Sequence, residues 1–204
     1  MDEFAIDRLP VELQALITWQ DVTEGQIIFR EGDAAELLFF LESGQVRLLQ
    51  YTEVGKTIEH YGVEAGEFFA EIVLFLGDYA CSAIASQPSR IAAIPKVHFL
   101  TELRQNPELA TVLMAQMSRR LHLTKIFLEL RSIRSARERT IRYLQIMISL
   151  VGDPQQSRLD LDRPFKSIAG DLGLSPEVLS RTLRQLQQEG VIDRVDRSIT
   201  LHKS

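Results

Sequence analysis

Residues 164–192, Pro-Phe-Lys-Ser-Ile-Ala-Gly-Asp-Leu-Gly-Leu-Ser-Pro-Glu-Val-Leu-Ser-Arg-Thr-Leu-Arg-Gln-Leu-Gln-Gln-Glu-Gly-Val-Ile, constrain the fold most, because they spell two short helices joined by a glycine turn. Ile168, Ala169 and Leu172 give the first helix an apolar face, Gly173 supplies the turn and Leu174 fills the junction. Ser175 as N-cap, Pro176 at the first helical position and Glu177 behind it open the second helix. Val178, Leu179, Leu183 and Leu186 recur at helical spacing and turn inward, which leaves Glu177, Ser180, Arg181 and Arg184 on or near the opposite side. This is the layout of a helix-turn-helix, and its outward residues suit double-stranded DNA. A carboxylate accepts from cytosine N4, a guanidinium holds guanine O6 and N7 together, and a hydroxyl serves bases or phosphates. Glu177, Ser180 and Arg181 are therefore expected to read bases, with Lys166, Ser175, Arg184 and Arg197 on the DNA backbone. The same pattern also suits an amphipathic helix pair in an ordinary bundle, with Glu177 and Arg181 as a surface ion pair.

The net charge of −5 looks wrong for a DNA binder until it is divided along the chain. Residues 1–130 carry 10 Lys or Arg against 19 Asp or Glu, a net −9, whereas residues 131–204 carry 13 against 9, a net +4. The helix-turn-helix lies in the basic part. Arg131, Arg134, Arg137, Arg139 and Arg142 crowd one short segment, as phosphate contacts or a linker helix beside DNA would require. Cys81 is the only cysteine, so neither an intramolecular disulfide nor a four-cysteine metal site can form within the chain. No apolar run is long enough to span a membrane, and Met-Asp-Glu-Phe does not begin a signal peptide, so the expected location is cytoplasmic.

Three textures follow one another. Residues 1–20 hold Phe4, Ile6, Leu9, Leu13, Leu16 and Ile17 around Pro10, which predicts a helical cap with Trp19 packed inward. From Gly25 the chain breaks into short β-rich runs between turn residues: 26–29, 37–41, 45–51, 57–61, 82–85 and 90–94. Residues 20–96 are thus expected to close into a small antiparallel barrel or sandwich. Asn106-Pro107-Glu108 then starts a long helix running toward Ser135. Leu123, Ile126, Leu130 and Ile133 follow a 3-4-3 spacing and predict a coiled-coil seam, while Leu109, Leu113, Met117 and Leu121 form a second stripe expected to pack on the β domain. A buried helix of one single domain would show similar spacing.

Taken in this order, the chain resembles the Crp/Fnr family of bacterial transcription regulators over nearly its whole length. The resemblance rests on Gly25-x-x-Ile28-x-x-x-Gly32-Asp33 followed by Leu37–Leu41 and Gly44, on Gly66-Glu67-Phe68-Phe69-Ala70-Glu71, on Ala115-Gln116-Met117-Ser118-Arg119-Arg120-Leu121, and on Asp171–Arg184. It implies an α+β chain with a β-roll sensor domain at 1–105, a central dimerisation helix at 106–136 and a winged helix-turn-helix domain at 137–204. It also implies a homodimer on a near-palindromic operator, with a signal at the roll reorienting the reading helices and with RNA polymerase as a partner. Glu177-x-x-Ser180-Arg181 is similar to the Fnr branch, which reads a TTGAT-type half-site; the Crp branch carries an arginine where Pro176 stands.

The sensor departs from the family's pattern. Cyclic-nucleotide members follow a Gly-Glu-Leu segment with an Arg-Ser/Thr-Ala that clamps the cyclic phosphate, whereas this chain has Ala70-Glu71-Ile72 and then Tyr79-Ala80-Cys81. Tyr79 is read as the replacement for that arginine, and no arginine lies between Arg47 and Arg90, so an effector other than cyclic AMP is expected. Glu71, Tyr79, Ser82, Thr124 and Lys125 are the pocket residues the resemblance implies, the last two from the central helix. No cofactor is expected: the amino-terminal cysteine cluster of iron–sulfur sensing is missing, and His60, His98 and His122 show no pairing suited to haem. Cys81 reads as a small buried hydrophobe or as a redox switch. Two other readings stand beside this one, a constitutive DNA binder with a vestigial pocket and a cupin-like metalloenzyme with a helical appendage.

Overall fold

The computed structural model describes residues 6–51, 57–161 and 165–202, so residues 1–5 of the expected cap, the side chain of His60 and the Pro164 that begins the helix-turn-helix motif lie outside the described residues. The chain divides into two compact units, 1–119 and 120–204.

The first unit is two antiparallel four-stranded sheets. The amino-terminal segment corrects the expectation of a helical cap: helix α1 (Val11–Gln14) is one turn, and the chain then becomes strand β1 (Thr18–Val22), paired with a later strand from Thr18 against Ala93 to Val22 against Ser89. Trp19 points outward instead of inward, 38% exposed, with the Arg90 guanidinium 4.9 Å above its ring. Strands β2 (Ile27–Phe29), β3 (Leu37–Ser43), β4 (Val46–Tyr51), β5 (Thr57–Val63), β6 (Phe68–Phe69), β7 (Ser82–Ala85) and β8 (Ser89–Pro95) complete the roll in the orders β1-β8-β3-β6 and β2-β7-β4-β5. Gly44 turns β3 into β4 at φ +96, and an added Cβ would sit 2.6 Å from the Pro88 carbonyl oxygen, so only glycine fits there. Between the sheets Phe29, Phe39 and Phe69 stack at centroid distances of 5.1 to 6.3 Å. Stacked aromatics of this size bury large apolar areas and leave little room beside them. Ala70 follows β6 at φ +60, a left-handed conformation unusual for a residue with a Cβ, and leads into a 3₁₀ turn over Glu71–Leu74.

Helix α2 (Lys96–Gln105) buries Phe99 against this core. Asn106 then caps helix α3 (Pro107–Ser132), its Oδ1 accepting from the Leu109 N–H at 3.2 Å. Leu109 and Leu113 are buried in the roll's core, as the second stripe requires, and Gln116 ties α3 to β6 by accepting from the Phe68 N–H and donating to the Phe68 carbonyl at 3.0 and 2.6 Å. The stripe ends there, because Met117 and Leu121 are exposed. A spacing of four residues advances about 40° round a helix at each step, so a stripe written as 109, 113, 117, 121 walks off its face within two turns.

The second unit is a three-helix domain with a small sheet. Helix α4 (Ala136–Leu150) begins at Ser135, whose hydroxyl accepts from the Glu138 N–H at 3.3 Å. Strand β9 (Arg158–Asp160), helices α5 (Phe165–Asp171) and α6 (Pro176–Gln188), and strands β10 (Ile192–Val195) and β11 (Ser198–Leu201) follow, the strands in the order β10-β11-β9. This is a winged helix-turn-helix, with the wing turning at Asp196 and Arg197 between Val195 and Ser198. Its core takes up one residue of the expected dimer seam. Leu130 is only 2% exposed, among Tyr143, Leu144, Leu172 and Leu179, and Ile126 and Ile133 pack at the edge of the same cluster; Leu123 is half-buried. A seam residue must be open on the single chain, and Leu130 is already spent on its own domain. The open apolar side chains of α3 are Met114, Met117, Leu121 and Leu128, whose spacing of 3, 4 and 7 places the first, third and fourth on one heptad position and Met117 on the other.

Candidate nucleic-acid interface

Helix α6 is built from its caps outward. The Ser175 hydroxyl accepts from the Val178 N–H at 3.3 Å, Pro176 occupies the first turn where its missing N–H costs nothing, and Gly173 at φ +61 makes the preceding turn. Leu179, Leu183 and Leu186 are buried, and Thr182 joins them with its hydroxyl bonded to the Val178 carbonyl. The opposite side therefore faces solvent over most of its length: Glu177, Arg181 and Arg184 are exposed and Ser180 is half-buried. The Ser175 hydroxyl and the residue's own N–H hold the Glu177 carboxyl below the usual carboxylate range, so it stands as an anion at the start of the helix. Among the described residues no ion pair joins Glu177 to Arg181; the Arg181 guanidinium projects without an acidic partner there. Lys166 is exposed at the start of α5, and Arg197 is exposed at the wing turn, where Asp196 takes φ +52. Arg194 braces the wing, its guanidinium 4.6 Å above the Phe165 ring.

The arginine cluster behaves differently from the expectation of uniform phosphate contacts. Arg139 is buried and donates to the Ile133 carbonyl at 2.9 Å and the Leu172 carbonyl at 2.6 Å. Arg131 donates to the Asp171 and Gly170 carbonyls at 3.1 and 2.7 Å. Arg137 donates through Nε and Nη2 to the one oxygen Oε2 of Glu189 at 2.9 and 2.7 Å, holding the Glu189 carboxyl below its ordinary range. Three of the five arginines thus serve the domain's own backbone and helix ends. Arg134 and Arg142 are exposed. In the sequence all five look alike, because nothing local distinguishes a guanidinium that finds a carbonyl across the fold from one that meets water.

The residues expected at the effector pocket fall in both units, Glu71, Tyr79 and Ser82 in the first and Thr124 and Lys125 in the second. Tyr79 is 6% exposed, stacked 3.9 Å from the Phe29 ring with its hydroxyl donated to the Leu37 carbonyl at 2.8 Å. It belongs to the core of the roll, and burial pushes its phenol upward. Ser82 is buried too, its hydroxyl accepting from the Glu31 N–H at 3.0 Å. Glu71 is half-buried at the start of the 3₁₀ turn. The side chain that shares its field is Cys81, whose thiol is pushed up by burial and then by Glu31 and Glu71. Thr124 and Lys125 are exposed on α3 in the other unit, and the Thr124 hydroxyl bonds back to the Arg120 carbonyl at 2.8 Å. Within the winged unit a cavity of about 570 Å³ opens between α4 and the ends of β10 and β11 away from the wing turn, lined by Ile141, Ile148, Val191, Leu201, Arg137 and His202 among others.

Comparison with known proteins accords with both units. The family model described as cyclic nucleotide-binding domain matches residues 19–106, and that described as Crp-like helix-turn-helix domain matches residues 138–203. The chain is 32% identical over 174 residues to the cyclic AMP receptor protein of Thermus thermophilus, covering 83% of this chain and 76% of that protein. It is 28% identical over 181 residues to the global nitrogen regulator of Nostoc sp., covering 86% of this chain and 81% of that one. The solved structure of a CooA mutant from Carboxydothermus hydrogenoformans shares the fold, with a TM-score of 0.77 at 19% identity over 94% of this chain and 86% of that chain.

Proposed function

We propose, from the premise that this chain belongs to the Crp/Fnr family of DNA-binding transcription regulators, that it acts as a homodimer reading a near-palindromic operator with TTGAT-like half-sites, under an effector other than cyclic AMP. The observation that carries the reading is α6, where Glu177, Ser180 and Arg181 stand on the outward side of a helix whose opposite face is buried and whose first turn is capped by Ser175. Lys166, Arg184 and Arg197 supply backbone contacts around it. The open stripe Met114, Met117, Leu121 and Leu128 supports a dimer through α3, since four large apolar side chains at heptad positions gain from mutual burial. Two-fold symmetry then sets the half-sites about one helical turn apart. RNA polymerase is the partner such a regulator would recruit or block.

The Thermus relative is a cyclic AMP receptor by name, but a cyclic phosphodiester needs a charge-assisted partner beside Glu71. Here that place holds Cys81 between the fields of Glu31 and Glu71, and Tyr79 is locked in the aromatic stack. The same filling of the roll favours a second reading, a constitutive DNA binder whose sensor pocket has closed.

Selection of bound DNA from a random pool, with and without cell-extract metabolites, tests both: a palindromic TTGAT-like consensus enriched only with metabolites supports the first, and equal enrichment supports the second. Selection of no consensus removes both. Within the selected site, Arg181→Ala is expected to cost about 1–3 kcal/mol and to relax preference at one guanine. Uniform weakening on all sequences would instead place Arg181 on the phosphates.

A further inference from the structure

The turn of the helix-turn-helix is held from two sides by arginines that leave the sequence as unremarkable members of a basic cluster. At the end of α5 the Ile168 and Ala169 carbonyls are closed by the Leu172 and Leu174 N–H groups, and the Gly170 carbonyl by that of Gly173. The next two carbonyls are taken by side chains from elsewhere: Asp171 by Arg131 Nε and Leu172 by Arg139 Nη1, while Arg131 Nη2 adds a second donor to Gly170. Arg139, at the start of α4, also grips the Ile133 carbonyl in the junction after α3. Arg131 belongs to the last turn of α3 itself. Its stem lies along Gly173, where an added Cβ would come within 3.3 Å of Arg131 Cγ.

The two arginines differ in what their loss would do. Arg139 is buried, so removing it strands desolvated carbonyls inside the domain. Arg131 is exposed, and exposed hydrogen bonds contribute little to stability. What Arg131 does contribute is geometry. A planar guanidinium that donates through Nε and Nη2 to consecutive carbonyls fixes direction as well as distance.

We infer that Arg131 is a positioning residue for DNA reading: its fork over the Gly170 and Asp171 carbonyls locks the helix-turn-helix at one angle to the end of α3. In a dimer joined through α3, that angle sets the separation and phase of the two reading helices. The inference rests on the dimeric reading above, and it assigns the choice of operator spacing to a residue that touches no base.

The test is Arg131→Met, which keeps an unbranched apolar stem and removes the fork. Affinity is measured on the selected operator, on operators with one base pair added to or removed from the spacer, and on a single half-site. One base pair moves a half-site by about 3.4 Å and about 35° of rotation. The wild type is expected to bind the altered spacings at least about 30-fold more weakly than the native one, and Arg131→Met to narrow that ratio to about 5-fold while its half-site affinity stays within about twofold. Thermal melting is expected to move little. Arg131→Lys, which donates without a planar fork, serves as the second variant and should give an intermediate ratio. A spacing ratio unchanged in Arg131→Met, or a half-site affinity that falls as far as the operator affinity, overturns the assignment. Sedimentation on the operator separates the two ideas. One chain per operator removes the dimer and the latch together, whereas two chains with an unchanged ratio remove the latch alone.

Discussion

The two compact units are stabilised by different chemistry, and the difference governs what each has left to offer a partner. In the roll the centre is aromatic: Phe29, Phe39, Phe69 and Tyr79 stack face to face, and the Tyr79 and Ser82 hydroxyls are matched to backbone atoms. In the winged unit a leucine-rich core is fastened at its edges by guanidinium-to-carbonyl bonds from Arg131 and Arg139 and by the Arg137–Glu189 pair. A unit closed by stacking has few polar groups free for a charged ligand. A unit that uses arginines for its own joints can still turn others outward, and Arg181, Arg184 and Arg197 are among those it presents.

The comparison can be broken by substitution. The largest effect is expected from Phe69→Ala, which removes the middle of the aromatic stack and should cost about 3–5 kcal/mol in denaturant titration. Trp19 is the only tryptophan and lies in β1, so its fluorescence reports the roll. Arg139→Met should cost about 2–3 kcal/mol in the winged unit, because two carbonyls lose a charged donor where water does not replace it. The helical signal in circular dichroism should then fall at lower denaturant while the Trp19 transition stays put. A shared shift of both signals would mean that the units unfold as one. Ser175→Ala should cost about 1 kcal/mol by the same titration, the worth of one N-cap, and weaken operator binding in proportion.

The smallest effect concerns pH. Burial with Glu31 and Glu71 nearby raises the Cys81 thiol, and burial raises the Tyr79 phenol. Both groups are held neutral in the fold, so their contribution to stability is complete below the pKa values of the unfolded chain and is lost as pH rises through the raised folded values. The denaturation midpoint should therefore begin to fall near about pH 9, where the thiol of the unfolded chain ionises, and fall further above about pH 10, where its phenol does, and Cys81→Ala should flatten the first part of that fall. At neutral pH the thiol is protonated, so alkylation of the native protein should be slow until it unfolds. Rapid labelling at pH 7 would instead restore Cys81 as a redox switch.

Much of this architecture was legible in the residues. Six strand segments were marked by the turn residues between them, and helices α5 and α6 by Gly173, Ser175 and Pro176, because caps and turns are chosen by backbone conformation within a few residues. The misreadings share one cause. Leu13, Leu16 and Ile17 have helical spacing, yet the chain from Thr18 pairs with β8, a partner about seventy residues away. Phe68-Phe69 is too short to announce a strand, although its pairing with β3 and with Gln116 anchors α3. Tyr79 was aligned with a ligand arginine by counting along the chain, and the fold turned it into the aromatic stack.

The sequence by itself determined the order of the parts, the outward face of α6 and the basic character of the carboxy-terminal part, since each depends on residue type and spacing over a turn or two of chain. The tertiary structure alone decided which apolar side chains of α3 the two cores consume and which stay open, and which arginines are joints and which are exposed. Those outcomes depend on whether a carbonyl or a leucine from a distant segment arrives within bonding distance, and periodicity along one helix carries no information about what will come to lie across from it.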